Sequence, residues 1–174
     1  MKYKKSILAL ICLLLLLAPL SSVNAYVLQG NSFQHPTALR YYIDSSVLNK
    51  NYGGYAVTGG NTWNYSPVVQ SSRSTSKIQS NVVWRYSNTD RGRTVATAFY
   101  YVQKNQPPVD IYFWRGFDGL SHSNKNETAV HEYGHALGLG HEDTKQSVMV
   151  SEGFNGTHMP YVDDYNGLEA LYRR

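Results

Sequence analysis

HEYGHALGLGH, at residues 131–141, sets three histidines and one glutamate in a single run of eleven residues. On a helix His131 and His135 stand at i and i+4, one turn apart on one face. Both imidazoles then reach a common point at the ~2.0–2.1 Å of a zinc–nitrogen bond. A third ligand on the same straight helix would sit badly for tetrahedral coordination, so the chain has to turn. Gly138 supplies the positive φ of such a turn and brings His141 back. Three protein ligands leave one tetrahedral position open, which separates a catalytic zinc from a structural one. Glu132, next to the first ligand, is placed to act as general base toward that position. The plain alternative is an amphipathic helix carrying ordinary histidines. Five fixed positions in register arise by chance in a chain of this length with probability on the order of 10⁻⁴ or less, which decides for the metal site.

Around this run the pattern predicts a helix from near Glu127 to about Leu139, capped by Asn124 or Asn126 and ended by Gly138 and Gly140. Glu127 then lies in the first turn, at the positive end of the helix dipole. Residues 117–125 (FDGLSHSNK) read as loop. A last helix over 162–172 has Asp163 and Asp164 at its start and Arg173 and Arg174 at its end, the favourable charge order. Upstream, 38–44 (ALRYYID), 81–86, 94–102 and 109–114 are β-branched and aromatic segments bounded by turn residues, hence strands. Asn105-Gln106-Pro107-Pro108 suits a turn between the last two. Within 51–64, Tyr52, Tyr55, Ala56 and Trp63 share a helical face, although Gly53, Gly54, Gly59 and Gly60 weaken that helix. Residues 66–76 are polar and read as a surface loop. Strands first and helices later argue an α+β fold.

The first 25 residues read as a secretory signal: basic Lys2, Lys4 and Lys5, an apolar run at 7–18, and the small-residue cleavage site Val23-Asn24-Ala25. Its apolar run is too short to serve as a membrane anchor. Cleavage leaves one domain over 26–174, secreted, extracellular and without stable membrane association. The only cysteine, Cys12, leaves with the signal, so the mature chain forms no disulfide. Thirteen basic against twelve acidic residues remain, a net charge of +1, which argues against nucleic acid as a partner. Arg85, Arg91 and Arg93 cluster around a predicted turn and read as solvated surface. A monomer is expected. The short basic and apolar regions of the signal have a bacterial character.

HExxHxxGxxH followed by a methionine turn resembles the signature of metzincin zinc endopeptidases. Ser147-Val148-Met149 lies a short loop beyond His141 and is similar to that turn, with Met149 as the hydrophobic floor beneath the metal. Within metzincins the chain most resembles the matrixins. HALGLGH is similar to their helix end, VDIYF (109–113) to the strand preceding their site, and DDYNGLEALY (163–172) to their C-terminal helix. The resemblance implies a metzincin-like catalytic domain, a mixed twisted β-sheet packed with an active-site helix and a C-terminal helix. It implies a secreted endopeptidase with one catalytic Zn²⁺ and a protein or peptide substrate.

It also implies that residues 150–161 wall the pocket for the side chain past the scissile bond, with Phe154, Met159 and Tyr161 as candidates and His158 as a loop histidine. It further implies that Asp163 pairs with the N-terminal ammonium of Tyr26, a simple N-cap role for Asp163 being the plainer reading. There are departures. Glu142 follows the third histidine where matrixins usually have Ser, as in astacins, and Ser151 gives no support to the tyrosine ligand of astacins and serralysins. Latency through a cysteine thiol is excluded. Only Asp118 and His122 precede the helix as candidates for a structural zinc, so none is expected. Calcium binding lacks support, because no carboxylate-rich loop is present. Two other functions fit the same motif, a non-catalytic zinc-containing binding module and a zinc amidase acting on a cell-wall peptide crosslink. Intact Glu132 speaks against the first.

Overall fold

A computed structural model describes residues 26–101 and 109–173. The signal region with Cys12, the end of the strand expected at 94–102 and the turn at 105–108 lie outside the described residues. Five strands form one mixed sheet: β1 (Leu39–Ile43), β2 (Ser71–Arg73), β3 (Val82–Tyr86), β4 (Ala96–Tyr100) and β5 (Val109–Phe113). Their order is β2-β1-β3-β5-β4. β1 pairs in parallel with β2 and β3, and β3 with β5. β4 runs antiparallel along β5, with Ala98 opposite Ile111. An interior strand covered on both faces has little use for polar alternation. Accordingly β5 buries Val109, Ile111 and Phe113, and its one buried charge, Asp110, is met by Arg85 Nε at 2.8 Å. Arg91 lies over the Trp114 ring and Arg93 pairs with Glu152, so the three arginines make separate contacts.

The 66–76 segment is not loop throughout, because it contributes β2. Asn64 Oδ1 accepts from Ser71 N at 2.7 Å and brings the chain to the edge of β1, where a three-residue polar strand is tolerated.

Among the described residues there are four α-helices, α1 (Ser45–Leu48), α2 (Gly53–Thr62), α3 (His122–Ala136) and α4 (Val162–Tyr172), of which the first three pack on the sheet. Asp44 ends β1 as expected and does so by capping α1, its Oδ1 accepting from Ser46 N at 3.0 Å. Of the glycines that weaken α2 in isolation, Gly59 lets it lie directly on α3 and Gly60 lets it lie on the Tyr41 ring of β1. A Cβ on Gly59 would stand 2.7 Å from Ala129 O and 2.8 Å from the Trp84 ring. Trp63 Nε1 donates to Val130 O at 3.0 Å, and Trp84 stacks on Tyr133. Trp63, Trp84 and Tyr133 are fully buried, and burying a large side chain of this kind contributes at least ~1.5–3 kcal/mol.

α3 starts five residues before the expected position, at His122. Ser121 is its N-cap, the hydroxyl accepting from Asn124 N at 3.2 Å, in place of Asn124 or Asn126. The first turn faces water, so no apolar period marked it. Glu127 therefore falls in the second turn, where it is buried and the dipole argument does not apply. α4 stands where expected, but Asp164, not Asp163, takes the capping bond, accepting from Tyr161 N at 2.7 Å. Among the described residues no helix is long and apolar enough to cross a membrane.

Candidate active site

His131, Glu132 and His135 sit on the last two turns of α3. The helix ends in a Schellman closure, with Gly138 N donating to His135 O at 2.8 Å and Leu139 N to Gly134 O at 3.1 Å. Gly138 takes φ +103°, the positive value expected of it, and the chain reverses. The N-terminal segment braces this turn. Gln29 N donates to Gly138 O at 2.9 Å and Gly140 N to Val27 O at 2.6 Å. His141 then faces the helix, its ring centroid 4.7 Å from that of His135 and 5.3 Å from that of His131. One nitrogen from each of the three rings lies within 4.8 Å of the others. His135 Nε2 and His141 Nε2 are 3.1 Å apart, near the ~3.3 Å edge of a tetrahedron whose ligands stand ~2.0–2.1 Å from a zinc ion.

On two of the rings the other nitrogen meets a main-chain carbonyl, a partner invisible in the sequence, and the Gln29 side-chain amide also lies 3.1 Å from His135 Nδ1. His131 Nδ1 donates to Val148 O at 2.9 Å and His135 Nδ1 to Leu139 O at 2.8 Å. Such bonds place the proton on Nδ1 and leave the Nε2 lone pair free for a cation. Burial, helped by the neighbouring His135, pushes His131 down to about 3, and burial pushes His135 down to about 4. Both rings are thus neutral at physiological pH, the form that binds metal.

Glu132 is 7% exposed, and its Oε2 has no hydrogen-bond partner. Burial pushes this carboxyl up to about 8, with the Ala98 amide opposing. A nearby cation favours the carboxylate form. An unpartnered carboxyl oxygen beside three converging imidazoles fits a divalent metal and a polar reactant, so the donor set suits zinc.

Ser147-Val148-Met149 folds beneath the histidines. Met149 is buried, and its Sδ and Cε occupy the space that a side chain on Gly134 would need. Asp164 organises the turn, accepting from Ser147 Oγ at 2.5 Å and from Val148 N at 3.0 Å. Glu142, a departure from the matrixin pattern, turns away from the histidines. Its Oε1 accepts from Thr144 N at 2.6 Å and Lys145 N at 3.1 Å and so shapes the loop leading to the turn.

A cleft of about 710 Å³ opens over the histidines, lined on one side by residues 94–98 and on the other by residues 150–154. Phe154 lines it, whereas Met159, Tyr161 and His158 do not. Sequence reasoning missed β4 as a cleft wall and missed Glu127, whose only signal was a carboxylate at a helix position that turns out to be buried. Asp118 and His122 do not come together as a ligand pair. Asp118 accepts from Lys50 Nζ at 2.7 Å and from the hydroxyls of Tyr52 and Tyr86, while His122 meets Tyr55.

A helix-and-turn histidine triad with a buried carboxylate beside it, in a cleft bordered by a sheet edge, has the form of a metallopeptidase centre. The matrixin family model matches residues 62–173, well over half of the chain, and the chain belongs to that family. Human matrix metalloproteinase-19 is 48% identical over 46 residues, a match that spans 25% of this chain and 9% of that protein.

Proposed function

We propose that this chain is a secreted zinc-dependent endopeptidase, with residues 1–25 as a removable signal and 26–174 as the catalytic domain. His131, His135 and His141 hold the zinc and Glu132 is the general base. The observation that carries the reading is the buried, unpartnered Oε2 of Glu132 beside the three convergent imidazoles. Zinc at such a site polarises a carbonyl and lowers the pKa of water toward ~7. Glu132 takes a proton from the attacking water as its oxygen bonds to the carbonyl carbon. It then delivers that proton to the amine nitrogen as the C–N bond breaks. Val148 O and Leu139 O keep two imidazoles in the tautomer and orientation that this requires.

A peptide substrate is favoured because β4 is an edge strand that lines the cleft. Main-chain groups along an outer strand can pair with an extended peptide, as strand addition does elsewhere. The test is cleavage of a quenched fluorescent peptide library by the chain from Tyr26, alongside Glu132→Ala, with zinc measured in both. Both proteins should carry one zinc, a chelator should stop cleavage, and the substitution should lower kcat by ~10²–10⁴-fold. A zinc-loaded wild type that cuts no peptide would overturn the reading in favour of a narrow non-protein amide or a binding role.

A further inference from the structure

Glu127 takes no part in the chemistry above, yet it is a carboxylate with 3% exposure on the cleft side of α3. Its partners are two main-chain amides far along the chain. Asn155 N donates to Oε1 at 2.5 Å and Gly156 N to Oε2 at 2.9 Å. The side-chain amide of Asn155 donates in turn to Ser147 O, next to the methionine turn. Residues 150–160 form no helix or strand, and 151–156 are exposed, although 150–154 line the cleft opposite β4. Apart from that Asn155–Ser147 bond, the other ties of this wall lie at the surface. Ser151 N donates to Asp143 Oδ1 at 2.8 Å, and Arg93 pairs with Glu152 at 3.5 Å between side chains that are almost wholly exposed. Exposed pairs fix a loop weakly. A buried carboxylate receiving two amides fixes it firmly, because releasing them leaves an uncompensated charge inside the protein.

We propose that Glu127 is a positioning residue for substrate selection: it holds the 150–156 wall at a set distance from β4 and thereby sets which side chain beside the scissile bond the cleft admits. The proposal rests on the peptidase reading above. Glu127 lies one turn before His131 on the same helix, so the wall is held in register with the groups that act on the carbonyl. Without Glu127 the wall keeps the single Asn155–Ser147 bond and its surface ties, so it yields more readily to different side chains and discrimination between substrates falls.

The test uses the zinc-loaded full mature chain, Glu127→Gln and Glu127→Ala, with peptides of one sequence varied at one position among Gly, Leu, Phe and Arg. kcat/KM is measured for each, and Kd is measured for the same peptides in a Glu132→Ala background. Hydrogen exchange is followed at the Asn155 and Gly156 amides. The wild-type spread between best and worst side chain, about 100-fold for a shaped pocket, should shrink at least about tenfold in Glu127→Ala. Glu127→Gln, which keeps one acceptor, should be intermediate. Exchange at both amides should quicken while zinc content stays at one per chain. Quicker exchange with an unchanged spread would make the contact merely structural and overturn the proposal, as would unchanged exchange or failure of every peptide to bind. If the Kd spread narrows but no peptide is cut, the peptidase reading fails and the positioning role stands.

Discussion

Asp164 and Glu127 are both buried carboxylates that receive main-chain amides from the stretch beyond His141, yet they hold opposite kinds of structure. Asp164 accepts from Ser147 Oγ, Val148 N and Tyr161 N, and the turn it holds is fully buried. Val148 O then accepts from His131 Nδ1, so Asp164 acts on one imidazole of the histidine cluster through a single residue. Glu127 accepts from Asn155 and Gly156, and the wall it holds is exposed. One device thus serves two ends. On the buried side it orients a ring that must not move, and on the exposed side it steadies a surface that has little packing of its own.

The comparison breaks most severely at Asp164. Asp164→Ala leaves the Val148 amide and the Ser147 hydroxyl unpaired in the interior. Hydrogen bonds to charged groups contribute ~1.5–3 kcal/mol each, so the loss should be about 3 kcal/mol or more, a fall in Tm of about 6–12 °C for a domain of this size. Because the orientation of His131 goes with it, zinc affinity should drop ~10–100-fold. Glu127→Ala should leave zinc affinity within about twofold of wild type. Equal zinc affinity in the Asp164 variant, read by chelator competition, would break the link from Asp164 to the metal.

A smaller effect sharpens the contrast within the buried side itself, between the rings and the carboxylate of α3. In metal-free protein His131 and His135 are depressed to about 3 and about 4 from 6.5, while Glu132 is raised to about 8 from 4.5. For the histidines the unfolded chain binds more protons, so their contribution is present above 6.5 and is lost as pH falls toward 3–4. For Glu132 the folded chain binds the extra proton, so its contribution is present below 4.5 and is lost as pH rises toward 8. Two groups oppose one between 4.5 and 6.5, and Glu132 acts alone above that. The Tm of chelated protein should therefore peak near pH 6.5 and decline toward pH 8, and Glu132→Gln should flatten the alkaline limb. Zinc-loaded protein should lack that decline, because a cation stabilises the carboxylate. A chelated wild type whose Tm is level between pH 6.5 and 8 would contradict the burial of Glu132.

The convergence of the three histidines was legible in the sequence because helical spacing and one glycine specify it locally: i, i+4, then a turn at Gly138. β1, β3 and β5 and the place of α4 were legible for the same reason, through apolar composition and charge order. What the sequence hid is contact between distant segments. β2 is polar and is held as a strand by Asn64, the edge of β1 and the buried Tyr133 hydroxyl. α2 reads as glycine-weakened until its neighbour is known, since Gly59 is required by Ala129 O and Trp84. The first turn of α3 carries HSNKN and shows no apolar period, so its start was placed too late and Glu127 was assigned to the dipole when it binds loop amides 28 and 29 residues away. Val148 O and Leu139 O, as main-chain acceptors, leave no mark in a sequence at all.

The smallest expected effect concerns the N-terminal brace of the third-ligand turn. Asp163 Oδ2 is buried without a hydrogen-bond partner, and burial raises this carboxyl above its usual range, with Glu142 adding to the rise. Gly167 lies one turn further along the same face of α4, and a Cβ there would stand 3.0 Å from Tyr26 Cβ. If the chain is cleaved after Ala25, as proposed, the residue that carries the new ammonium is packed beside the helix face that carries an unsatisfied carboxylate. Pairing of the two would stabilise the mature chain by about 1–2 kcal/mol and steady the strap that bonds to Gly138 and Gly140. A chain extended by one residue before Tyr26 should accordingly show a Tm about 2–8 °C lower and a loss in kcat/KM of a few fold, while Asp163→Asn should lower the Tm of the mature chain and leave the extended one unmoved. If both chains respond equally to Asp163→Asn, the carboxylate stabilises α4 by itself and the amine at Tyr26 plays no part.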